Sequence, residues 1–181
     1  YRQIYTQMWS YIYVWIYDTC TSLCIGTYES IPGDDNLYDM AFSQDAFVHA
    51  FSKVGTYKEA LRVVKPGGCL IFCDLMCGVS NDPQELVTFA QTNMVKDWLS
   101  PEKNADAVKA AGWVDVEYID LTADIKLSFQ LMHKKVRSII EAGNPTGIDM
   151  KLLTAYDTNL ENRVGQVDRG VFKWGCIVGK K

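Results

Sequence analysis

The chain has 181 residues, 48% hydrophobic and 22% charged, which suits one globular domain with or without an appendage and excludes disorder along its whole length. A net charge of −4 leaves no Lys/Arg surplus to contact phosphates, so a nucleic-acid partner is disfavoured. With His49 and His133 as the two histidines, a His-rich metal site is excluded and no metal is expected.

Residues 1–24 are crowded with Tyr, Trp and Ile and carry Arg2 and Asp18 as their charges. Polar residues break every apolar run before it reaches the roughly 18–20 residues of a membrane span, so membrane contact by this segment is not favoured. A strand over Tyr11–Tyr17 is expected there, as an edge strand or docking segment. The chain starts at Tyr1 and shows no signal-peptide pattern, which reads as a processed chain or a fragment.

From residue 25 onward helix and strand signals alternate, and residues 25–181 read as one α/β domain. Tyr38–Ser43 is a short apolar strand. Tyr57, Leu61 and Val64 lie at helical spacing and predict a helix over Val54–Val64. Lys65-Pro66-Gly67-Gly68 stops it, because Pro cannot continue a helix and Gly permits a tight turn. Cys69–Asp74 is a near-continuous apolar run, the pattern of a strand buried on both faces. Asp82-Pro83 opens a helix expected to run to about Leu99, and Ser100-Pro101 opens another to about Ala111, closed by Gly112. Trp113–Leu121 is a strand. Asp124 to about Ala142 and Ile148 to about Arg163 are helices, separated by Gly143-Asn144-Pro145. Val171–Val178 is the last strand. This alternation predicts a largely parallel sheet with flanking helices.

Six cysteines (Cys20, Cys24, Cys69, Cys73, Cys77 and Cys176) contain no Cys-x-x-Cys pair, which argues against a zinc ribbon or a thioredoxin-type redox pair. Free thiols in a reducing intracellular compartment, cytoplasm or organelle, are expected.

The block from Gly26 to Met76 reads GTYESIPGDDNLYDMAFSQDAFVH, a helix, then RVVKPGGCLIFCDLM. It resembles the second half of a class I S-adenosylmethionine-dependent methyltransferase. DN-x-YD and KPGG carry the superfamily likeness. SQDA, CDLM and the FKWGCIV strand narrow it to the sarcosine/dimethylglycine group of small-amine N-methyltransferases. The resemblance implies a partial Rossmann-like methyltransferase sandwich with an antiparallel last strand and S-adenosylmethionine as cofactor.

In open α/β sheets, ligands bind outside the carboxyl ends of the strands. The resemblance therefore places Thr27, Tyr28, Ser43 and Gln44 against the cofactor. Many relatives carry an acidic residue at the Thr27 position, and here a backbone N–H is expected to serve instead. Asp45 and His49 are the candidate catalytic pair, since an amine acceptor must lose a proton before it attacks. Asp74, Met76 and His133 are candidate substrate contacts. Plainer roles remain open: Asp45 as a cap after its strand, His49 as a surface or core histidine, and Phe129 and Met132 as core.

A complete enzyme of this family begins with a strand and a glycine-rich loop, followed by a second strand ending in an acidic residue. No Gly-x-Gly occurs before Gly67, and 24 residues are too few for two βα units. The usual first βα units are therefore expected to be absent from this chain. Two functions follow from the sequence. One is methyl transfer to glycine, sarcosine or dimethylglycine, by this chain alone or as part of a longer or split protein. The other is a non-catalytic methyltransferase-like subunit of a larger assembly. An open sheet edge predicts a protein partner or a homo-oligomer in either case.

Overall fold

The computed structural model describes residues 26–144 and 146–181. The expected strand over Tyr11–Tyr17, and any docking role of residues 1–24, lie outside these. Among the described residues the elements are β1 (Tyr38–Gln44), a 3-10 turn (Phe47–His49), α1 (Lys53–Val63), β2 (Val64–Cys77), α2 (Pro83–Thr92), α3 (Pro101–Ala110), β3 (Val114–Asp120), α4 (Thr122–Glu141), α5 (Met150–Asp168) and β4 (Phe172–Lys180).

The starts of α2 and α3 follow the residues that predicted them. Asp82 accepts from the Gln84 N–H and Ser100 from the Lys103 N–H, each with Pro next in the chain. Ser52 caps α1 through Gly55, and Asp149 caps α5 through Lys151. Gly112 takes φ +109 just after α3, a conformation in which a Cβ is strained.

Two elements differ from expectation. The helix from Pro83 ends at Thr92 rather than near Leu99. The Asn93 side chain donates to the Phe89 carbonyl, and Met94 then turns left-handed at φ 53. Lys65–Gly68 does not lie between helix and strand but within β2, as an irregularity. Gly67 N–H donates to the Lys181 carbonyl, and the pairing with β1 jumps from Tyr38–Val64 to Met40–Cys69.

The four strands lie in the order β1-β2-β4-β3. β1 runs parallel to β2, while β4 runs antiparallel to both β2 and β3. Three strands thus share one direction and the last opposes them, as expected. One face of the sheet carries the main core under α1 and α3. There Tyr57 stacks on Phe72 at 5.2 Å, its hydroxyl donates to Asn104 (2.7 Å), and its carbonyl accepts from the Trp113 indole (2.9 Å). Burial of β2 on both faces is corrected by the structure. Leu70, Phe72, Asp74 and Met76 are buried, whereas Cys69, Ile71, Cys73, Leu75 and Cys77 on the opposite face are half-buried. Among the described residues no helix covers that face beside β1, and Met40 and Phe42 are exposed there.

α4 and α5 pack through Val136, Leu153 and Leu160. Phe89 of α2 stacks between Trp98 and Phe172, with the Arg163 guanidinium 4.9 Å above its ring. Where β3 meets β4, a Cβ on Gly175 would lie 2.2 Å from the Tyr118 ring and 2.8 Å from the Ile119 carbonyl oxygen. Gly175→Ala is expected to cost about 2–3 kcal/mol of unfolding free energy in a urea titration. A loss below about 0.5 kcal/mol would show that the strand pair gives way freely.

Candidate active site at the ends of β1 and β2

The ends of β1 and β2 lie side by side, with Gln44 opposite Cys73. Ser43 is buried, and its hydroxyl has no hydrogen-bond partner. Gln44 is exposed. Asp45 then leaves the strand in the left-handed region at φ 52, which Asp tolerates better than most residues, while its N–H still donates to the Cys73 carbonyl (3.0 Å). The kink feeds the 3-10 turn, whose Phe47 and Val48 are buried.

Asp74 holds that turn from below. It is 3% exposed. Oδ2 accepts the Val48 N–H at 2.8 Å and Oδ1 accepts the Leu75 N–H at 3.1 Å. Burial pushes its carboxyl up to about 7, the Asp45 charge adds to this, and the two N–H bonds and Lys53 oppose it. Asp45 is itself on the surface, yet protein crowds one side of it and raises its carboxyl to about 6. Two carboxyls with pKa values near neutrality thus face the same turn.

Lys53 closes the turn from the other side. Its Nζ lies 2.8 Å from the Phe47 carbonyl, 3.2 Å from Val48, 3.3 Å from Ala50 and 2.9 Å from Lys96. Burial lowers its pKa to about 8, against the pull of Asp74, Asp97 and Glu29. Glu29 accepts the N–H groups of Phe51 and Ser52, and Asp97 accepts that of Lys53. His49 is half-buried, with Nδ1 3.2 Å from the Met94 carbonyl. A carbonyl only accepts, so Nδ1 donates and Nε2 is the basic atom of the neutral ring.

The remaining candidates fall in different places. Thr27 is exposed, and its N–H is committed to the Ser30 carbonyl at 3.3 Å. Tyr28 is buried and meets Phe47 edge-on at 5.8 Å, which braces the turn. Met76 is fully buried in the main core. His133 lies on α4, with Nε2 3.0 Å from Asp157 of α5, which also binds Arg137. Ser43, Gln44, Asp45, His49 and Asp74 are therefore brought together around one turn. Lys53, Glu29 and Asp97 join them as residues that sequence reasoning missed. A Lys at a helix start reads as solvated, and nothing in the sequence says that four carbonyls converge on it.

A narrow void of about 10 Å³ beside Lys53, Tyr57, Asp74, Trp98 and Asn104 has room for about one water, so it is not an acceptor pocket. Among the described residues no group of three or more His, Cys, Asp or Glu side chains is placed to hold a metal ion. No helix there is long and apolar enough to cross a membrane.

A methyltransferase domain model matches residues 16–72. The chain is 41% identical over 155 residues to a sarcosine/dimethylglycine N-methyltransferase of Halorhodospira halochloris, covering 85% of this chain and 55% of that protein. It is 26% identical over 155 residues to a glycine/sarcosine/dimethylglycine N-methyltransferase of Actinopolyspora halophila, covering 84% of this chain and 27% of that one. The chain thus spans about half the length, or less, of the curated relatives it matches. Among solved structures, a putative sarcosine dimethylglycine methyltransferase from Galdieria sulphuraria superposes with a TM-score of 0.74 at 22% identity, over 86% of this chain and 57% of that one. A phosphoethanolamine N-methyltransferase of Haemonchus contortus, solved with S-adenosyl-L-methionine, gives 0.75 at 15% identity, over 82% of this chain and 34% of that one. The strand order, the antiparallel last strand and the sequence likeness along most of the chain agree: it belongs to the class I S-adenosylmethionine-dependent methyltransferases.

Proposed function

We propose that this chain carries part of an enzyme that transfers a methyl group from S-adenosylmethionine to a small amine, with glycine, sarcosine or dimethylglycine as acceptors. The observation that carries this reading is the 41% identity, over 85% of the chain, to a sarcosine/dimethylglycine N-methyltransferase. The residues at the end of β1 fit a polar cofactor, because the Ser43 hydroxyl is buried and unpartnered where the strand stops. Ser43 and Gln44 are the proposed cofactor contacts, with Thr27 contributing its side chain and Tyr28 acting through Phe47. When bound, the cofactor supplies a methyl already activated on a sulfonium.

The chain's own residues prepare the acceptor. An amine reacts only as its free base. The Asp45 carboxyl, raised to about 6, takes a proton more readily than an ordinary carboxylate and is ionised at neutral pH. His49, held through Nδ1 one turn away, is the second proposed base. Asp74 and Lys53 act as positioning residues, since they hold the backbone that carries both groups. Met76 and His133 have no part in this reading: the first is core, and the second is engaged by Asp157.

The test is methyl transfer from labelled S-adenosylmethionine to each amine. Asp45→Asn is expected to lower kcat roughly 100-fold while cofactor affinity holds. The wild-type rate is expected to rise with pH through about 6, as Asp45 ionises, and the Asn variant to lose that limb. A folded protein that transfers methyl to none of the amines contradicts the proposal. That outcome favours the second reading, a non-catalytic subunit that meets a protein partner through the open side of β1, where Met40 and Phe42 are 48% and 60% exposed.

A further inference from the structure

β2 carries Cys69, Cys73 and Cys77 on its half-buried face. Four residues of strand separate neighbouring thiols by about 13 Å, so none of these three can reach another. Across the ladder the position is different, because Cys73 stands directly opposite Cys176 of β4. In an antiparallel ladder such pairs alternate between hydrogen-bonded, with Cα atoms about 5.5 Å apart, and non-hydrogen-bonded, at about 4.5 Å.

Three bonds fix which kind this pair is. Gly78 N–H donates to the Val171 carbonyl (3.1 Å), which makes Gly78–Val171 a hydrogen-bonded pair. Cys77 N–H turns away from β4 and donates to Leu99 (2.8 Å). The Cys73 carbonyl also turns away from β4, accepting the Asp45 N–H on the β1 side (3.0 Å). The register between Cys73 and Cys77 is unbroken. Cys73–Cys176 is therefore a non-hydrogen-bonded pair, the closer kind, and about 4.5 Å between Cα atoms is within the span a disulfide bridges. The two side chains stand on the same face of the sheet, as directly opposed residues do. Burial, together with the Cys73 sulfur beside it, pushes the Cys176 thiol up to about 12.

We propose that Cys73 and Cys176 form a two-thiol modification site, closed by peroxides into a reversible cross-strand disulfide. Cys73 is half-buried and Cys176 is 8% exposed, so Cys73 is attacked first. Its thiolate takes one oxygen from the peroxide as the O–O bond breaks, giving a sulfenic acid and hydroxide. The Cys176 sulfur then attacks the Cys73 sulfur, the S–O bond breaks, and water leaves. In total two thiols and one peroxide give one disulfide and two waters, each sulfur losing one electron. A dithiol reductant reverses the bond by exchange. The site does not depend on the methyl-transfer reading. It bears on the same backbone, because the Cys73 carbonyl holds the Asp45 amide.

The test treats the native 181-residue chain with stoichiometric hydrogen peroxide, alkylates the remaining thiols and maps the unreduced digest by mass spectrometry. The expected result is one dominant linked peptide pair joining Cys73 to Cys176, lighter by two hydrogens and removed by dithiothreitol. Diamide is expected to give the same link. In Cys176→Ser, dimedone is expected to label Cys73 as its sulfenic acid. The proposal is overturned if both thiols stay free at a dose that oxidises methionines. It is equally overturned if Cys73 links to another cysteine, or is oxidised beyond the sulfenic acid while Cys176 stays free.

Discussion

Replacing Lys53 with Met is expected to lower the unfolding free energy by about 3 kcal/mol, since it strips donors from four convergent carbonyls inside the protein. The Met side chain fills much of the same space, so the loss reports hydrogen bonding rather than a cavity. The pH dependence separates this from a packing effect. Burial holds the folded pKa near 8, below the ordinary 10.5. Between these values the unfolded chain keeps a proton that the folded chain has shed. Stability therefore rises with pH across that window in the wild type relative to the variant. Urea titrations of both proteins at about pH 8 and about pH 10 check it. A gap that stays constant would show that Lys53 does not titrate as a buried ammonium.

Asp74 is expected to behave in the opposite sense. Asp74→Ala leaves the Val48 and Leu75 N–H groups without their acceptor and is expected to cost about 2–4 kcal/mol. Asp74→Asn keeps an acceptor oxygen and loses less. Because burial raises the folded pKa from 3.8 to about 7, the folded chain keeps a proton in that window that the unfolded chain has lost. Wild-type stability then falls as pH rises through the window, and the Asn variant does not follow. Between about pH 5 and about pH 8 the wild type is expected to lose about 2 kcal/mol relative to Asp74→Asn, measured by urea unfolding. Parallel curves would mean that Asp74 is ionised throughout and is stabilised in that form by its two N–H donors.

Much of the fold was legible because it rests on local signals. Asp82-Pro83 and Ser100-Pro101 specify helix starts through their own caps, and the period of apolar residues placed α1, α4 and β4 within a few residues. The early end of α2 was not legible, since the left-handed turn at Met94 sits in a sequence that continues to look helical. The half-open face of β2 reads as buried in the sequence because the run Cys69–Asp74 is apolar at every position but the last. Sequence shows apolarity, not whether a second layer is present. For the candidate site, strand-end reasoning selects Ser43, Gln44, Asp45, His49 and Asp74, and the structure gathers these five around one turn. Burial gave Asp74 and Tyr28 supporting roles. The clamp of Lys53 on Phe47, Val48, Ala50 and Lys96 spans 43 residues of sequence and depends on backbone carbonyls, which no residue type announces.

Calorimetric titration of S-adenosylmethionine into the folded chain tests most directly whether the ends of β1 and β2 hold the methyl donor. Saturable one-to-one binding is predicted, weakened about tenfold by Ser43→Ala, which removes the unpartnered hydroxyl and adds no bulk at this buried position. A chain with intact near-ultraviolet dichroism that takes up no cofactor, or binds it equally well without the Ser43 hydroxyl, would contradict the account.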